Sequence, residues 1–174
     1  MTINFDIDMD DMMSFQRHFV NTSPMLRKTK RMITYIFPVF LFLFGIVGFY
    51  TTHSRFDLAF GIFMLIIITI WVIFIPKLFV HMTLKRSKKI LLKPGNEIMF
   101  GKFEMSFTDE GLDVKTPNTS SNILWNIIPK AEETQNYIYI YLSQVSAYII
   151  PKQKISNSEV EELHTLLNTR LLLK

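Results

Sequence analysis

Residues 32–52 read MITYIFPVFLFLFGIVGFYTT, and residues 58–76 read LAFGIFMLIIITIWVIFIP. Neither run contains Asp, Glu, Lys, Arg or His. As helices they would measure roughly 31 and 28 Å, close to the ~30 Å of a bilayer's hydrocarbon layer. A core helix of a soluble domain shows a polar stripe at 3.6-residue spacing, and these runs show none. The pattern predicts two membrane-spanning helices. The first is expected to be retained, because it exceeds the ~7–15 residues of a signal-peptide core and no small-residue cleavage site follows.

The six residues Thr52–Asp57, THSRFD, join the runs. So short a link forces an antiparallel hairpin. Arg27, Lys28, Lys30 and Arg31 precede the first run, and Lys77, Lys85, Arg86, Lys88, Lys89 and Lys93 follow the second, whereas the link holds Arg55 alone. The positive-inside bias then places both termini in the cytoplasm. Charge-free spans argue against a pump or a proton-coupled transporter. Gly45, Gly48 and Gly61 could permit close helix approach, although glycine is simply common in membrane helices, which is the preferred reading.

The hairpin has two flanks. INFDID (3–8) alternates as a short strand, and Asp10 reads as the N-cap of a following helix with Phe15 and Phe19 on one face. Ser23-Pro24 starts the helix that becomes the first span. Residues 1–23 are expected to pack on the cytoplasmic domain, residues 24–93 to form the hairpin, and residues 94–174 to form that domain. Lys77–Lys93 places Phe79, Val80, Thr83, Leu84, Ser87, Ile90 and Leu91 on one arc and the cations on the other half. The second helix should therefore run on to about Leu92, with Leu84, Ile90 and Leu91 facing protein. Its cations, with Arg27, Lys28, Lys30 and Arg31, form a candidate membrane-surface cluster: Lys85, Arg86, Lys88 and Lys89.

Beyond KPGNE (93–97) the period switches to alternation. Phe103, Met105 and Phe107 share a face, Thr108–Gly111 is a turn, and YIYIYL (137–142) and AYIIP (147–151) read as strands. Pro129 ends or bulges a strand. Ser156 and Glu159 make a capping box, ahead of an apolar stripe of Val160, Leu163, Leu166, Leu167 and Leu171. Five or six short strands with a closing helix give an α+β membrane protein. A transmembrane hairpin carries an antiparallel sheet domain, pleckstrin-homology-like in outline, closed by a C-terminal helix.

Little in the sequence points to chemistry. There is no cysteine. His18, His53, His81 and His164 lie in four different elements, without metal-ligand spacing. Glu132 and Glu133 alternate across a strand and read as solvated surface. No catalytic residue, metal or cofactor is expected. From Gly101 onward there are seven basic and nine acidic residues, unsuited to nucleic acid. Trp125 with Tyr137, Tyr139 and Tyr141 is a candidate interaction surface. The tyrosines either are covered within the chain, which is preferred, or meet a partner.

Trp125 and Ile128, the acidic Glu132-Glu133, then Ile150-Pro151-Lys152 and the helix residues Glu159, Val160 and Leu163 resemble the YcxB-like family of small bacterial membrane proteins. The resemblance implies a bacterial cell-membrane location and a pleckstrin-like C-terminal fold, and supplies no shared activity. The expected function is a non-enzymatic, membrane-anchored interaction or regulatory module. The partners would be the lipid bilayer and a protein partner or a second copy. Two alternatives stand beside it: self-protection against a bacteriocin or peptide toxin, and an accessory role in a transporter.

Overall fold

The computed structural model describes residues 1–52, 58–96 and 99–171, with the backbone alone for 48–52 and 58–60. His53, Arg55 and Asp57 of the link, the Tyr50 side chain and Glu97 of the KPGNE turn fall outside these. The elements are β1 (Thr2–Ile7), α1 (Met9–Thr22), α2 (Pro24–Thr52), α3 (Leu58–Leu91), β2 (Gly101–Phe107), β3 (Gly111–Lys115), β4 (Ser120–Leu124), β5 (Lys130–Glu133), β6 (Tyr137–Tyr141), β7 (Ala147–Pro151) and α4 (Asn157–Leu171). The chain is thus α+β, with two long apolar helices, then antiparallel sheets and a C-terminal helix. It divides into two compact units, Val20–Arg86 and a second made of Met1–Phe19 with Ser87–Lys174.

The first unit holds most of α2 and α3. Both helices are long and apolar enough to cross a membrane, and only 6% and 0% of their most apolar stretches are buried within the chain. A soluble core helix would be mostly buried. Trp71 of α3 stacks on Phe37 of α2, ring centres 4.0 Å apart, so this tryptophan faces its neighbour helix rather than an interface. A methyl group at Gly45 would touch nothing within 4 Å, so Gly45 marks no close helix contact. The helix α3 runs through Pro76 to Leu91.

The second unit is a sandwich of seven strands: six beyond the hairpin, where five or six were expected, and one before it, where a short strand was expected. β1-β2-β3-β4 form one antiparallel sheet and β5-β6-β7 another. The strand from upstream of the hairpin is β1, which pairs with β2, with Thr2 opposite Ser106 and Ile7 opposite Gly101. Period-2 alternation puts Ile3, Phe5 and Ile7 inside and their neighbours outside. The break between the sheets is a single 3-10 turn, Trp125–Ile127, ahead of Pro129. Ile138, Ile140, Ile150, Leu163 and Leu167, each fully buried, share one core with the β1–β3 face. Ser156 and Glu159 cap α4 reciprocally: the Ser156 amide donates to Glu159 Oε2 at 2.7 Å and the Glu159 amide to Ser156 Oγ at 3.3 Å.

One boundary differs from expectation. The helix α1 is capped by Asp8, not Asp10. Asp8 Oδ1 accepts the amides of Asp10 and Asp11 at 2.9 Å each, while Asp11 Oδ2 accepts the Asp8 amide at 3.0 Å. The compact unit that holds the sandwich takes in the end of α3 from Ser87, where Leu91, expected to face protein, is buried. Ile90, expected to face protein, is 56% exposed.

Candidate interaction site

The tyrosine face of β6 is the strongest sequence candidate, and the fold closes it. Phe15 of α1 sits over Tyr139 and Tyr141 at 5.4 and 6.1 Å between ring centres, and His18 stacks on Tyr139 at 4.9 Å. Tyr139 and Tyr141 are each 2% exposed. These two side chains are interior, as the preferred reading of the tyrosine face expected, and so leave the candidate surface; α1 lays Phe15 on them. Tyr137 is half-buried and stacks on Tyr139. Burial pushes the Tyr139 phenol up to about 12, helped by the neighbouring Tyr137. Trp125 is half-buried too. It stacks on Phe107, and its Nε1 donates to the Thr108 carbonyl at 3.0 Å. It props the corner between the sheets.

Two polar clasps hold α1 down. In the first, Lys154 Nζ donates to Asp8 Oδ2 and Asp11 Oδ2, both at 2.7 Å, and to the Asp6 carbonyl at 3.1 Å. Tyr137 donates to Asp11 Oδ1 at 3.2 Å. The hydrogen bond from Lys154, aided by the Asp11 amide, holds the Asp8 carboxyl down at about 2. Burial pulls the Lys154 ammonium down, but Asp11 and Asp8 outweigh it and its pKa is raised. In the second clasp, Glu132 meets His18 Nε2 at 2.8 Å, Lys130 Nζ at 2.5 Å and the Tyr141 hydroxyl at 3.0 Å. Burial raises this carboxyl, yet those hydrogen bonds win and its pKa is lowered.

Glu133 points the other way, to Lys152 and, at 3.6 Å, His164 of α4. The acidic pair is thus not solvated surface. Strand alternation sends one carboxylate to α1 and the other to α4. Sequence reasoning missed the Asp8–Asp11–Lys154 clasp, since nothing local ties residue 154 to residue 8. Among the described residues no three His, Asp or Glu side chains gather as a metal site.

The basic cluster is split by the fold. Arg27, Lys28, Lys30, Arg31, Lys85 and Arg86 lie in the helical unit, and Lys88 and Lys89 in the sandwich unit. The Phe37–Trp71 stack fixes the helix register. Six residues before Phe37 is Arg31, and six after Trp71 is Lys77, so on the antiparallel helices the cation nearest the stack on each comes level. Both are exposed.

Among the described residues, a groove of about 470 Å³ lies in the sandwich unit. It is bordered by α1 (Phe15), the end of α3 (Leu91), β2 (Phe103), the β3–β4 turn (Thr119) and the β6–β7 turn (Val145).

A model of the YcxB-like protein family matches residues 107–167, from the last residue of β2 into α4. That segment is similar to the YcxB-like family. The match spans Trp125, Glu132, Glu133 and the Ile150-Pro151-Lys152 segment. No curated protein and no solved structure matches the chain. Three clasp partners of the matched segment, Asp8, Asp11 and His18, lie upstream of it, on the far side of the hairpin in sequence.

Proposed function

We propose that this is a membrane-anchored, non-catalytic interaction module of the bacterial cell membrane, with α2 and α3 crossing the bilayer and the YcxB-like sandwich in the cytoplasm. The observation that carries the reading is the pairing of β1 with β2. A strand before the hairpin and a strand after it belong to one sheet, so both flanks of the hairpin lie on one side of any membrane it enters. The lysine and arginine count makes that side the cytoplasm. Arg31 and Lys77, level with one another, mark the inner boundary, and the neighbouring cations meet anionic headgroups at about 1 kcal/mol each. Four strands, then three, then a closing helix support a pleckstrin-like fold for the sandwich. The polar side chains brought together at α1 serve as fastenings, which favours binding over catalysis.

The cysteine-free chain suits a direct test. Single cysteines at Thr2, Arg55 and Lys93 are treated with a membrane-impermeant maleimide on intact cells. Labelling at Arg55 alone is expected; labelling at Thr2 or Lys93 overturns the topology. Cross-linking in cells followed by purification should retain a membrane or cytoplasmic protein or a second copy. Should nothing be retained, and deletion alter only sensitivity to a peptide toxin, the self-protection reading replaces this one.

A further inference from the structure

The groove differs from the rest of the sandwich unit in its chemistry. Among the described residues, no Asp, Glu, Lys, Arg or His lines it, although charged side chains are plentiful elsewhere in that unit. Its floor is apolar, including the buried Ile7, Phe15, Leu91 and Val114. One wall carries hydroxyls, those of Thr119, Ser121 and Tyr148. Burial raises the Tyr148 phenol, against the pull of Ser121, so this wall is neutral as well. At the mouth, Ile90 and Val145 are 56% and 64% exposed. Two apolar side chains from separate segments are thus left in water around one opening.

This combination selects a ligand. A charged group inside would lose its hydration and find no partner. A helix 10–12 Å across would seat only about one turn in this volume. A single hydrocarbon chain, by contrast, would match the uncharged floor and cover the exposed mouth, with a hydroxyl or ester oxygen left for the Thr119–Ser121–Tyr148 wall.

We infer that the groove of the sandwich unit binds the uncharged tail of a lipid, with its first polar group against the hydroxyl wall. The site adds to the module proposed above, and rests on the membrane reading for the source of the tail. Both segments that join the sandwich to the hairpin, α1 and the end of α3, border the groove, so an occupant would touch both.

The test uses the full chain in lipid nanodiscs with a long-chain fatty alcohol bearing a mid-chain diazirine, photolysed and mapped by mass spectrometry. Label is expected on peptides carrying Val114, Tyr148 and Ile149 as well as on span peptides. Ser121→Trp, which fills the mouth, and Val145→Lys, which charges it, alter exposed positions and leave the core intact. Each should cut groove labelling at least about tenfold, as for a charge or bulk forced on a desolvated site, with span labelling unchanged. Unlabelled groove peptides beside labelled spans overturn the inference and leave the membrane reading standing. Groove label indifferent to both variants also overturns it. Labelled groove beside unlabelled spans upholds the site and removes the membrane reading; no label on either removes both.

Discussion

Lys154 joins residues almost 150 positions apart, and its removal strands an aspartate. Asp11 has a side chain only 6% exposed, and without the ammonium its charge has little water to turn to. Lys154→Ala should destabilise the folded chain by about 2 kcal/mol, less than a fully buried pair because Lys154 itself is partly exposed. Denaturant unfolding in detergent measures this, and a loss near zero would remove the clasp from the account. The pH dependence has two signs. The Asp8 carboxyl is depressed on folding, from 3.8 to about 2, so its contribution is present above the unfolded value and fades as pH falls towards 2. The Lys154 ammonium is raised, so its contribution holds below the ordinary lysine value of 10.5 and fades as pH climbs beyond it. Asp8→Asn should flatten the acid limb of a stability–pH curve. At Gly111 the constraint is steric: an added Cβ would lie 2.1 Å from the Ile123 carbonyl oxygen on β4. Gly111→Ala should therefore lower stability by more than about 2 kcal/mol, read as a fall in unfolding midpoint.

Among the elements, local rules were readable and distant partners were not. The Ser156–Glu159 box is a matter of three residues, so the start of α4 could be read from spacing. Ser156→Ala should weaken the helix end by about 1 kcal/mol, measurable by thermal melting. The apolar arc on α3 was equally legible. Phe79, Val80, Thr83 and Leu84 are partly sheltered, and Lys85, Arg86, Lys88 and Lys89 exposed. A cysteine scan over residues 78–92 should show accessibility with helical period; uniform reactivity would contradict a continuous α3. Ile90 breaks the arc, because a hydrophobic position on a wheel does not say whether anything lies opposite it. The tyrosine face shows the same limit. Alternation separated Tyr139 and Tyr141 from Ile138 and Ile140, yet only the fold reveals that Phe15 and His18 cover it. The glutamates beside it were misread as solvated, since their partners come from α1, β5, β6, the turn after β7 and α4.

At the scale of the whole chain, the two apolar runs announced themselves by composition, whereas the fact that they interrupt a sheet did not. β1 is complete by residue 7, but its partner begins at Gly101. During synthesis the first strand therefore waits, unpaired, while roughly ninety residues and both apolar helices emerge. Closing so long a loop is entropically unfavourable only logarithmically in its length. On the proposed membrane reading the more demanding condition is place: β1 and β2 can meet only if both runs, or neither, have crossed. A hairpin that inserts one helix and not the other strands β1 across the bilayer and leaves β2 an open edge, a site for aggregation or proteolysis. On that reading the sheet would act as a check on biogenesis, withheld from chains in which a single helix has crossed.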